Sequence, residues 1–476
     1  MKENASDDSA SQPIIALEIN ELSDPLLQRW MGEGLLPNFQ ALWQRSAVFT
    51  TNPDGEDAAL LEPWIQWYSI HTGRPYSEHK VFQLTDGKRA DFPDIFTYLH
   101  AAGLPTISFF SMNIRPFSVP GSVFLGDPWS EAGDAFPRAW NDFGSFVGHQ
   151  VREHSRHTDR GLFRRAVPFA TFMLRHGLRP RHIKQILGQL MAEKLSEHDV
   201  TWRRAALLDV LQLAAFRACY GNIRPKFATF FSNNIAHLQH RFWRHMAPDD
   251  FAIKPSAAER EAYGNAIRYG YQATDALVGE FTKLADRHGA RLMLISAMSQ
   301  QPFLKYEDLG GQRIYRLRAP DRFLAGMGVS YSCLEPVMAH QYRVRCSAKA
   351  EAQQLRARLS AYVLADGSSV FGFSPVENDA EALHFGCQIA RHVMPDEIIF
   401  DDGKDHAEIG NFSDVFYSIE GMKSGRHHPD GSLWIETGLH ARHEEKVSVL
   451  DILPTTLDLL GVSVPFGGVS LSPFLR

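Results

Sequence analysis

Side chains that could carry out chemistry are concentrated in four short stretches of the sequence. Each stretch combines carboxylates, amides, imidazoles or cations, which can hold metal ions, transfer protons or bind anions. The four sets are Glu18, Asn20 and Glu21; Glu62, Trp64, Gln66 and Trp67; Asn233, Asn234, His237 and His240; and Lys423, Arg426, His427 and His428. Because the sets are far apart in the sequence, they can act together only if the fold brings four loops to one place.

Glu62 is the first candidate for a catalytic carboxylate. It could act as a general base on water or as a nucleophile, and the neighbouring Trp64 and Trp67 could raise its pKa by desolvation. The alternative is a carboxylate satisfied by backbone N–H groups near the start of a helix. Glu18 and His237 are further candidates for catalytic groups.

Cations and amides in these stretches predict a small-molecule or glycan substrate with an anionic group. Lys423, Arg426 and His428 could bind phosphate, sulfate or a carboxylated sugar, although charged residues in a glycine-flanked loop are also commonly solvated. Trp64 and Trp67 are core residues by default, but they could form a stacking wall for a sugar ring or a base. The remaining candidates for substrate binding are Asn20, Gln66 and Asn234.

The elements that must position these residues are strands alternating with helices. Short apolar runs predict buried strands at residues 14–19, 106–110, 227–231 and 291–296. Helical patterns occur after residue 24, with Leu26, Leu27 and Trp30 on one face, at 92–100, and over about 256–288. This order predicts an α/β fold with a mostly parallel central sheet covered by helices on both faces. Ligands of such sheets bind beyond the carboxyl ends of the strands.

Two segments depart from this alternation within a predicted single domain of residues 13–476. Residues 136–220 are rich in helix, and residues 151–185 contain nine Arg or Lys against two acidic residues. They are either a solvated helical insertion on the core, or a lid or membrane-surface element attracted to anionic lipid or a phosphate-bearing substrate. Residues 310–400 are predicted to form a mixed subdomain.

Composition limits the compartment and the classes of partner. With 44% hydrophobic and 22% charged residues the chain is typical of globular proteins, and its net charge of −6 does not favour nucleic acid. The four cysteines form no CxxC pair, which fits a reducing compartment. The first dozen residues lack the features of a signal peptide, and no apolar run reaches about 18 residues. We therefore predict a cytoplasmic protein, with peripheral membrane contact open and no prediction of its oligomeric state.

Five stretches, in order along the chain, resemble one family. They are NELSDPLL with GLLPNF (residues 20–39), WYSIHTG with Pro75 and His79, AHLQHRFW (236–243), GRHHPDG (425–431), and VLDILPTT with Leu460, Gly461 and Pro465. They are similar to motifs of the alkaline phosphatase superfamily, in its type I phosphodiesterase/nucleotide pyrophosphatase and sulfatase-like branches. The resemblance implies an alkaline phosphatase-like fold and a hydrolase pocket formed by the four sets of polar residues.

The sequence departs from the family at most of the positions that hold its two metal ions, usually zinc. Neutral residues replace the ligands: Asn20 for the first Asp, Ala236 for the Asp before His240, and Ala297-Met298 for an Asp-His pair. The nucleophile position is occupied by Pro63, beside Glu62. The combination of ExNE and EPWxQW resembles a divergent subfamily found with cell-surface polysaccharide genes, which implies a role in polysaccharide biosynthesis.

The resemblance leaves His240 and His427 as the retained metal ligands. Two imidazoles and one carboxylate, from Glu62 or Glu18, could hold one Zn, Mn or Fe ion with open positions. The alternative is that both histidines only make hydrogen bonds.

Two functions therefore remain open. The first is an enzyme that cleaves or transfers an ester-like group on a phosphate- or sugar-bearing substrate with at most one metal ion. The second is a catalytically silent protein that binds a glycan, a nucleotide or a lipid-linked intermediate. The new carboxylates, amides and tryptophans at the site favour the enzyme.

Overall fold

The computed structural model describes residues 11–55, 57–84, 86–129, 135–152, 162–337, 341–374, 379–419, 422–463 and 468–475. Its helices are α1 Asp24–Gly32, α2 Pro37–Trp43, α3 Pro63–Thr72, α4 Tyr76–His79, α5 Ile95–Ala101, α6 Asn141–Arg152, α7 Leu162–Arg175, α8 Pro180–Leu195, α9 Arg204–Ile223, α10 Asn234–Met246, α11 Ala257–Tyr263, α12 Ala266–His288, α13 Pro320–Gly326, α14 Lys349–Ser360, α15 Phe412–Val415 and α16 Ile452–Leu459. Its strands are β1 Ile14–Ile19, β2 Ser46–Asn52, β3 Thr106–Phe109, β4 Val123–Leu125, β5 Ala135–Phe136, β6 Phe227–Ser232, β7 Arg291–Ser296, β8 Ser299–Pro302, β9 Tyr315–Leu317, β10 Tyr331–Val337, β11 Gln341–Cys346, β12 Tyr362–Leu364, β13 Phe371–Ser374, β14 Ala382–Cys387, β15 Ile398–Asp401, β16 Ala407–Asn411, β17 Phe416–Ser418, β18 Gly425–His428, β19 Gly431–Glu436, β20 Ala441–Arg442 and β21 Val447–Ser448.

The central sheet is largely parallel, as the sequence predicted. Its order is β20-β2-β19-β7-β1-β6-β3-β4-β5, with β21 beside β2. Strand β1 pairs in parallel with β6 and β7, while β19 is antiparallel to both of its neighbours. Every residue of β1 is buried, which explains why its sequence is apolar except for Glu18.

Helices cover both faces of this sheet. The adjacent residues Phe230 and Phe231 of β6 point to opposite faces, because side chains alternate along a strand. Phe230 contacts Phe216 of α9 and Phe281 of α12, whereas Phe231 contacts Trp67 of α3. Helix α3 therefore packs on one face of the sheet and helices α9 and α12 on the other, and α10 packs against α12.

Three predicted boundaries are corrected by local backbone conformation. Strand β3 ends at Phe109, because Phe110 has a φ of 64° and turns the chain. Helix α5 begins only at Ile95, since the Asp94 carboxylate accepts a hydrogen bond from the Thr97 N–H as an N-cap. The predicted helix over 256–288 is two helices, because Asn265 leaves helical geometry and starts α12 as its N-cap residue.

Two further groups of elements occupy the segments that depart from the alternation. The chain described between β5 and β6 forms α6 to α9. A second hydrophobic cluster, separate from the main core, is formed by residues between Tyr315 and Phe416 around the antiparallel sheet β10-β11-β14-β13. The boundaries predicted at 136–220 and 310–400 remain predictions. Among the described residues, no helix is long and apolar enough to cross a membrane.

The burial of the Asp209 carboxyl group on α9 predicts that the stability of the protein depends on pH. Its side chain is buried and accepts a hydrogen bond from Ser232 Oγ at 2.6 Å, and burial raises its pKa to about 7. An acid with a raised folded-state pKa binds more protons when folded, so its contribution to stability is present below about pH 4 and is lost as pH rises through about 7. The free energy of unfolding should therefore be measured in urea for Asp209→Asn and for wild type. The value for the variant minus the value for wild type should rise by on the order of 2–4 kcal/mol between about pH 4 and pH 8.

The matched control for this prediction is Asp249→Asn, because the Asp249 side chain is fully exposed. Its unfolding free energy should follow the wild-type pH dependence. Parallel pH curves for wild type and Asp209→Asn would show that Asp209 is not buried as an acid.

Candidate metal and active site

The carboxyl ends of three neighbouring strands meet at one edge of the central sheet. Strands β7, β1 and β6 are adjacent, and the Asn20 N–H after β1 donates to the Ser232 carbonyl at the end of β6, at 3.0 Å. The next residue, Glu21, has a φ of 58°, a left-handed conformation that costs a non-glycine residue on the order of 1–3 kcal/mol. Gln239 Nε2 of α10 donates to the Glu21 carbonyl at 2.7 Å and helps to hold this turn.

Glu21, His240 and His427 form a compact cluster at this edge. Glu21 Oε2 lies 3.0 Å from His240 Nε2, and Glu21 Oε1 lies 3.5 Å from His427 Nε2. One ligand atom from each residue lies within 4.8 Å of the other two. Oxygen and nitrogen ligands about 2.1 Å from a tetrahedral ion are about 3.4 Å apart, so this spacing fits a metal centre.

Both imidazoles are held in the same way by main-chain carbonyls. His240 Nδ1 lies 3.2 Å from the Gly425 carbonyl oxygen, and His427 Nδ1 lies 2.7 Å from that of Leu61. A carbonyl oxygen can only accept, so each Nδ1 must donate and each Nε2 is directed towards Glu21. Metal-bound histidines are commonly fixed by such a hydrogen bond from the other ring nitrogen.

The surrounding charges shift the pKa values of the two imidazoles in opposite directions. Burial lowers the pKa of His240, and the Lys423 ammonium lowers it further. The Glu21 carboxylate opposes this effect. Because His240 Nδ1 carries a proton, the 3.0 Å contact between Nε2 and Glu21 Oε2 is favourable when either a second proton or a metal ion lies between the two atoms. Burial also lowers the pKa of His427, but the carboxylates of Glu21 and Glu62 outweigh this effect and raise it.

The Glu21 carboxylate is oriented by two amides. Asn20 Nδ2 donates to Oε1 at 3.1 Å, and Gln300 Nε2 of β8 donates to Oε2. Burial would raise the pKa of Glu21, but His240 and His427 outweigh it and hold that pKa well below its usual range. The side chain is only 3% exposed and ionised, so it is a buried anion whose charge can be balanced by protonated imidazoles or by a metal ion in place of their protons.

Gly425 lets strand β18 approach helix α10. A Cβ atom at this position would lie 2.4 Å from Gln300 Oε1 and 2.8 Å from the Gln239 carbonyl oxygen. The absence of a side chain therefore allows the Gly425 carbonyl to reach His240 and brings His427, two residues later, into the cluster.

Glu62 lies at the mouth of the cluster, at the N-cap position of α3. Its Oε2 is 3.7 Å from His427 Nδ1, and its side chain is 34% exposed. Burial raises the pKa of Glu62, against the opposing effects of His427 and Lys423. Lys423 is exposed and acts electrostatically on Glu62, His240 and His427, so it supplies a cation at the same mouth.

Glu18 lies away from the cluster. Its carboxylate is buried within β1, and Oε1 faces His71 Nε2 of α3 at 2.9 Å. The His71 ring in turn stacks on Trp67. The carboxylate that joins His240 and His427 is therefore Glu21 rather than Glu18, because the left-handed turn at Glu21 redirects the chain after the strand.

Several predicted substrate-binding residues are buried and form hydrogen bonds within the protein. Gln66 and Trp67 are completely buried; Gln66 hydrogen-bonds the main chain of Asp54 and Leu60, and Trp67 Nε1 donates to Asn20 Oδ1 at 2.9 Å. Asn20 also donates to Asn233 Oδ1. Because these hydrogen bonds already occupy the polar atoms of the three side chains, we infer that Gln66, Trp67 and Asn20 position other residues of the site rather than bind substrate.

The other predicted residues are distributed around α3, α10 and β18. Trp64 is half-buried and donates to the Phe82 carbonyl, and Asn234 is buried with Nδ2 near the Gly270 carbonyl. His237 is half-buried on α10, one turn before His240. In β18, Arg426 lies over the Phe303 ring, and His428 Nδ1 accepts from the Asp430 N–H.

Glu21 and Gln300 are the site residues that the sequence analysis did not assign. Glu21 stood in the first polar set, but the third ligand was sought at Glu18 or Glu62. A carboxylate immediately after a buried strand was the signal available. Gln300 gave no comparable signal, because its role depends on the pairing of β8 with β18.

Comparison with known proteins gives only distant likenesses. No protein-family model and no curated protein matches the chain. Among solved structures, phosphonoacetate hydrolase from Sinorhizobium meliloti is 13% identical with a TM-score of 0.45, covering 95% of this chain and 96% of that chain. Murine ectonucleotide pyrophosphatase/phosphodiesterase 5 is 10% identical with a TM-score of 0.41, covering 96% of this chain and 98% of that chain. Likenesses this distant do not establish an activity.

Proposed function

We propose that this chain is a hydrolase or transferase that uses one divalent metal ion to cleave an ester-like bond in a phosphate- or sugar-bearing substrate. Glu21, His240 and His427 would hold the ion. The observation that carries the proposal is the orientation of the two imidazoles, since each Nδ1 donates to a main-chain carbonyl and each Nε2 is directed to the same buried carboxylate.

The donor set suits the metals expected from the sequence. Two imidazole nitrogens and one carboxylate are typical ligands of Zn, Mn or Fe(II) and leave coordination positions open. A divalent ion bound here would polarise a phosphoryl or sulfuryl oxygen and lower the pKa of a nearby water. It would also balance the negative charge of Glu21, which is buried among polar groups.

Glu62 and Lys423 would act on the substrate at the mouth. Glu62 is partly exposed, and its raised pKa brings it closer to neutral pH, where a carboxylate accepts a proton from water most effectively. Lys423 would attract the anionic group of the substrate. Arg426 and His428 follow Lys423 on the same segment. Arg426 would extend its positive charge, and His428, whose Nδ1 accepts from the Asp430 N–H, would donate its Nε2–H to the anionic group.

The proposed substrate class rests on the sequence resemblance and on the positive charge of Lys423 and Arg426. The ordered motifs are similar to those of the alkaline phosphatase superfamily, whose chemistry is ester cleavage. The ExNE and EPWxQW stretches extend the proposal to cell-surface polysaccharide metabolism.

Metal content and turnover test the proposal together. Wild-type protein loaded with Zn, Mn or Fe(II) and desalted should retain about one ion per chain, and His240→Ala/His427→Ala should lose it, because removing a ligand exceeds the roughly 10–100-fold cost of removing a supporting contact. Glu62→Gln should retain the ion, but its turnover on the active member of a phosphodiester, phosphomonoester and sulfate ester panel should fall about 10²–10⁴-fold.

His428→Ala is the matched control for metal content, because it removes the histidine adjacent to His427 without removing a proposed ligand. It should bind metal as wild type does. A metal-free wild-type protein that turns over no ester, but binds a glycan or nucleotide sugar saturably, would replace this proposal by the catalytically silent binding protein.

A further inference from the structure

Helix α8 exposes a continuous apolar stripe. The residues of the stripe are between 42% and 73% exposed, and they are Ile183, Leu187, Leu190, Met191 and Leu195. Their spacing of four, seven, eight and twelve residues from the first places them on one face of the helix. His182 and Ile186 lie on the opposite, inward side.

Helix α7, which precedes α8, exposes two further apolar side chains. Val167 and Leu174 of α7, seven residues apart, are more than half exposed, while Phe169, Phe172 and Met173 of the same helix are buried in the core. Contiguous exposed apolar surface on a soluble protein commonly marks an interaction site. The α7–α8 hairpin, residues 162–195, therefore has an inward face that packs and an outward apolar face.

The hairpin is also strongly basic. Residues 162–195 contain seven Arg or Lys and one acidic residue, a formal charge of 7 − 1 = +6 in a chain whose net charge is −6. Lys184 and Lys194 are exposed on the same side of α8 as the stripe, and Arg175, Arg179 and Arg181 are exposed near the junction of the two helices. Lys and Arg stems can lie along an apolar surface while their charges reach anionic groups.

The packing and charge of the hairpin indicate what binds its outward apolar face: the site beneath it, a second copy of the chain, or another partner. Helix α8 packs on α9, which packs on β6 and α12, so the stripe points outward from the sheet. A lid would turn its apolar side chains towards the site rather than to solvent. A symmetric contact between two copies would bring like positive charges together, which disfavours self-association through this face.

We propose that the α7–α8 hairpin docks on the surface of an anionic lipid membrane. The apolar stripe of α8 enters the boundary between headgroups and acyl chains, and the surrounding Lys and Arg contact lipid phosphates. Amphipathic helices with an apolar face and a basic polar face bind membranes in this manner, and each cation near an anionic surface adds attraction that salt screens. This inference is independent of the metal site.

Vesicle co-sedimentation of the full chain tests the proposal. Wild type should pellet with vesicles of phosphatidylcholine containing about one third phosphatidylglycerol, and binding should weaken several-fold when NaCl rises from about 0.1 to about 0.5 M. Leu187→Glu/Met191→Glu should bind at least about tenfold more weakly, because burial of one such side chain is worth about a tenfold change or more. Lys184→Glu/Lys194→Glu should weaken binding to anionic vesicles as well.

Leu439→Glu is the control, since Leu439 lies elsewhere on the surface and is more exposed, at 78%, than Leu187 at 55% and Met191 at 61%. It should bind vesicles as wild type does. Three results would overturn the proposal: equal binding to pure phosphatidylcholine, undiminished binding of folded Leu187→Glu/Met191→Glu, or a wild-type dimer that this double substitution dissociates in sedimentation velocity.

Discussion

Glu21→Gln is expected to lower the affinity for a divalent ion by at least about 100-fold, because it removes the anionic ligand of the cluster. Gln keeps the size of the side chain but could not offer a charged oxygen to an ion that His240 Nε2 and His427 Nε2 would hold. Affinity should be measured by competition with a coloured chelator, using protein that has been stripped of metal.

Two other carboxylates provide matched controls for Glu21→Gln. Glu18→Gln alters a residue that faces His71, and Glu62→Gln alters a residue that lies 3.7 Å from His427 Nδ1, the nitrogen already donating to Leu61. Both variants should keep the metal affinity within about tenfold of wild type, the lower limit for loss of a supporting contact. If Glu18→Gln or Glu62→Gln, rather than Glu21→Gln, abolished binding in folded protein, the assignment of the third ligand would be wrong.

Trp67→Ala is expected to lower the free energy of unfolding by about 3–5 kcal/mol, as for other large aromatic side chains removed from a core. Trp67 is fully buried, contacts Phe231 edge to face and stacks on His71. Its indole N–H also donates to Asn20 Oδ1, and Nδ2 of the same Asn20 amide donates to Glu21. Urea unfolding measured on metal-free protein isolates this effect from any contribution of a bound ion.

Trp67→Phe separates packing from the hydrogen bond. It keeps an aromatic ring but leaves Asn20 Oδ1 without its donor, so we expect a loss of about 1–3 kcal/mol and weaker metal binding. A stacking wall for a sugar would behave differently, because Trp67→Ala would then unfold like wild type and lose only substrate affinity.

Parts of the fold could be predicted because their signals are local. Strands β1, β6 and β7 are buried on both faces, so short apolar runs identified them to within one residue. Strands β2 and β19 were not predicted, since SAVFTTN and GSLWIE are short mixed sequences whose pairing is decided by distant partners. The break between α11 and α12 was missed, because the residues on either side continue a helical pattern.

The sequence by itself determined which chemical groups are available and which are missing. The motif resemblance predicts that Asn20, Ala236, Ala297 and Met298 replace metal ligands and that His240 and His427 are retained. Only the tertiary structure decided that Glu21 completes their cluster. Alternation along β1 directs Glu18 to the buried His71, whereas the left-handed turn at Glu21 and the hydrogen bond from Gln239 direct the later carboxylate to the strand edge. That choice depends on backbone torsion and on contacts between residues far apart in the chain, which the local sequence does not encode.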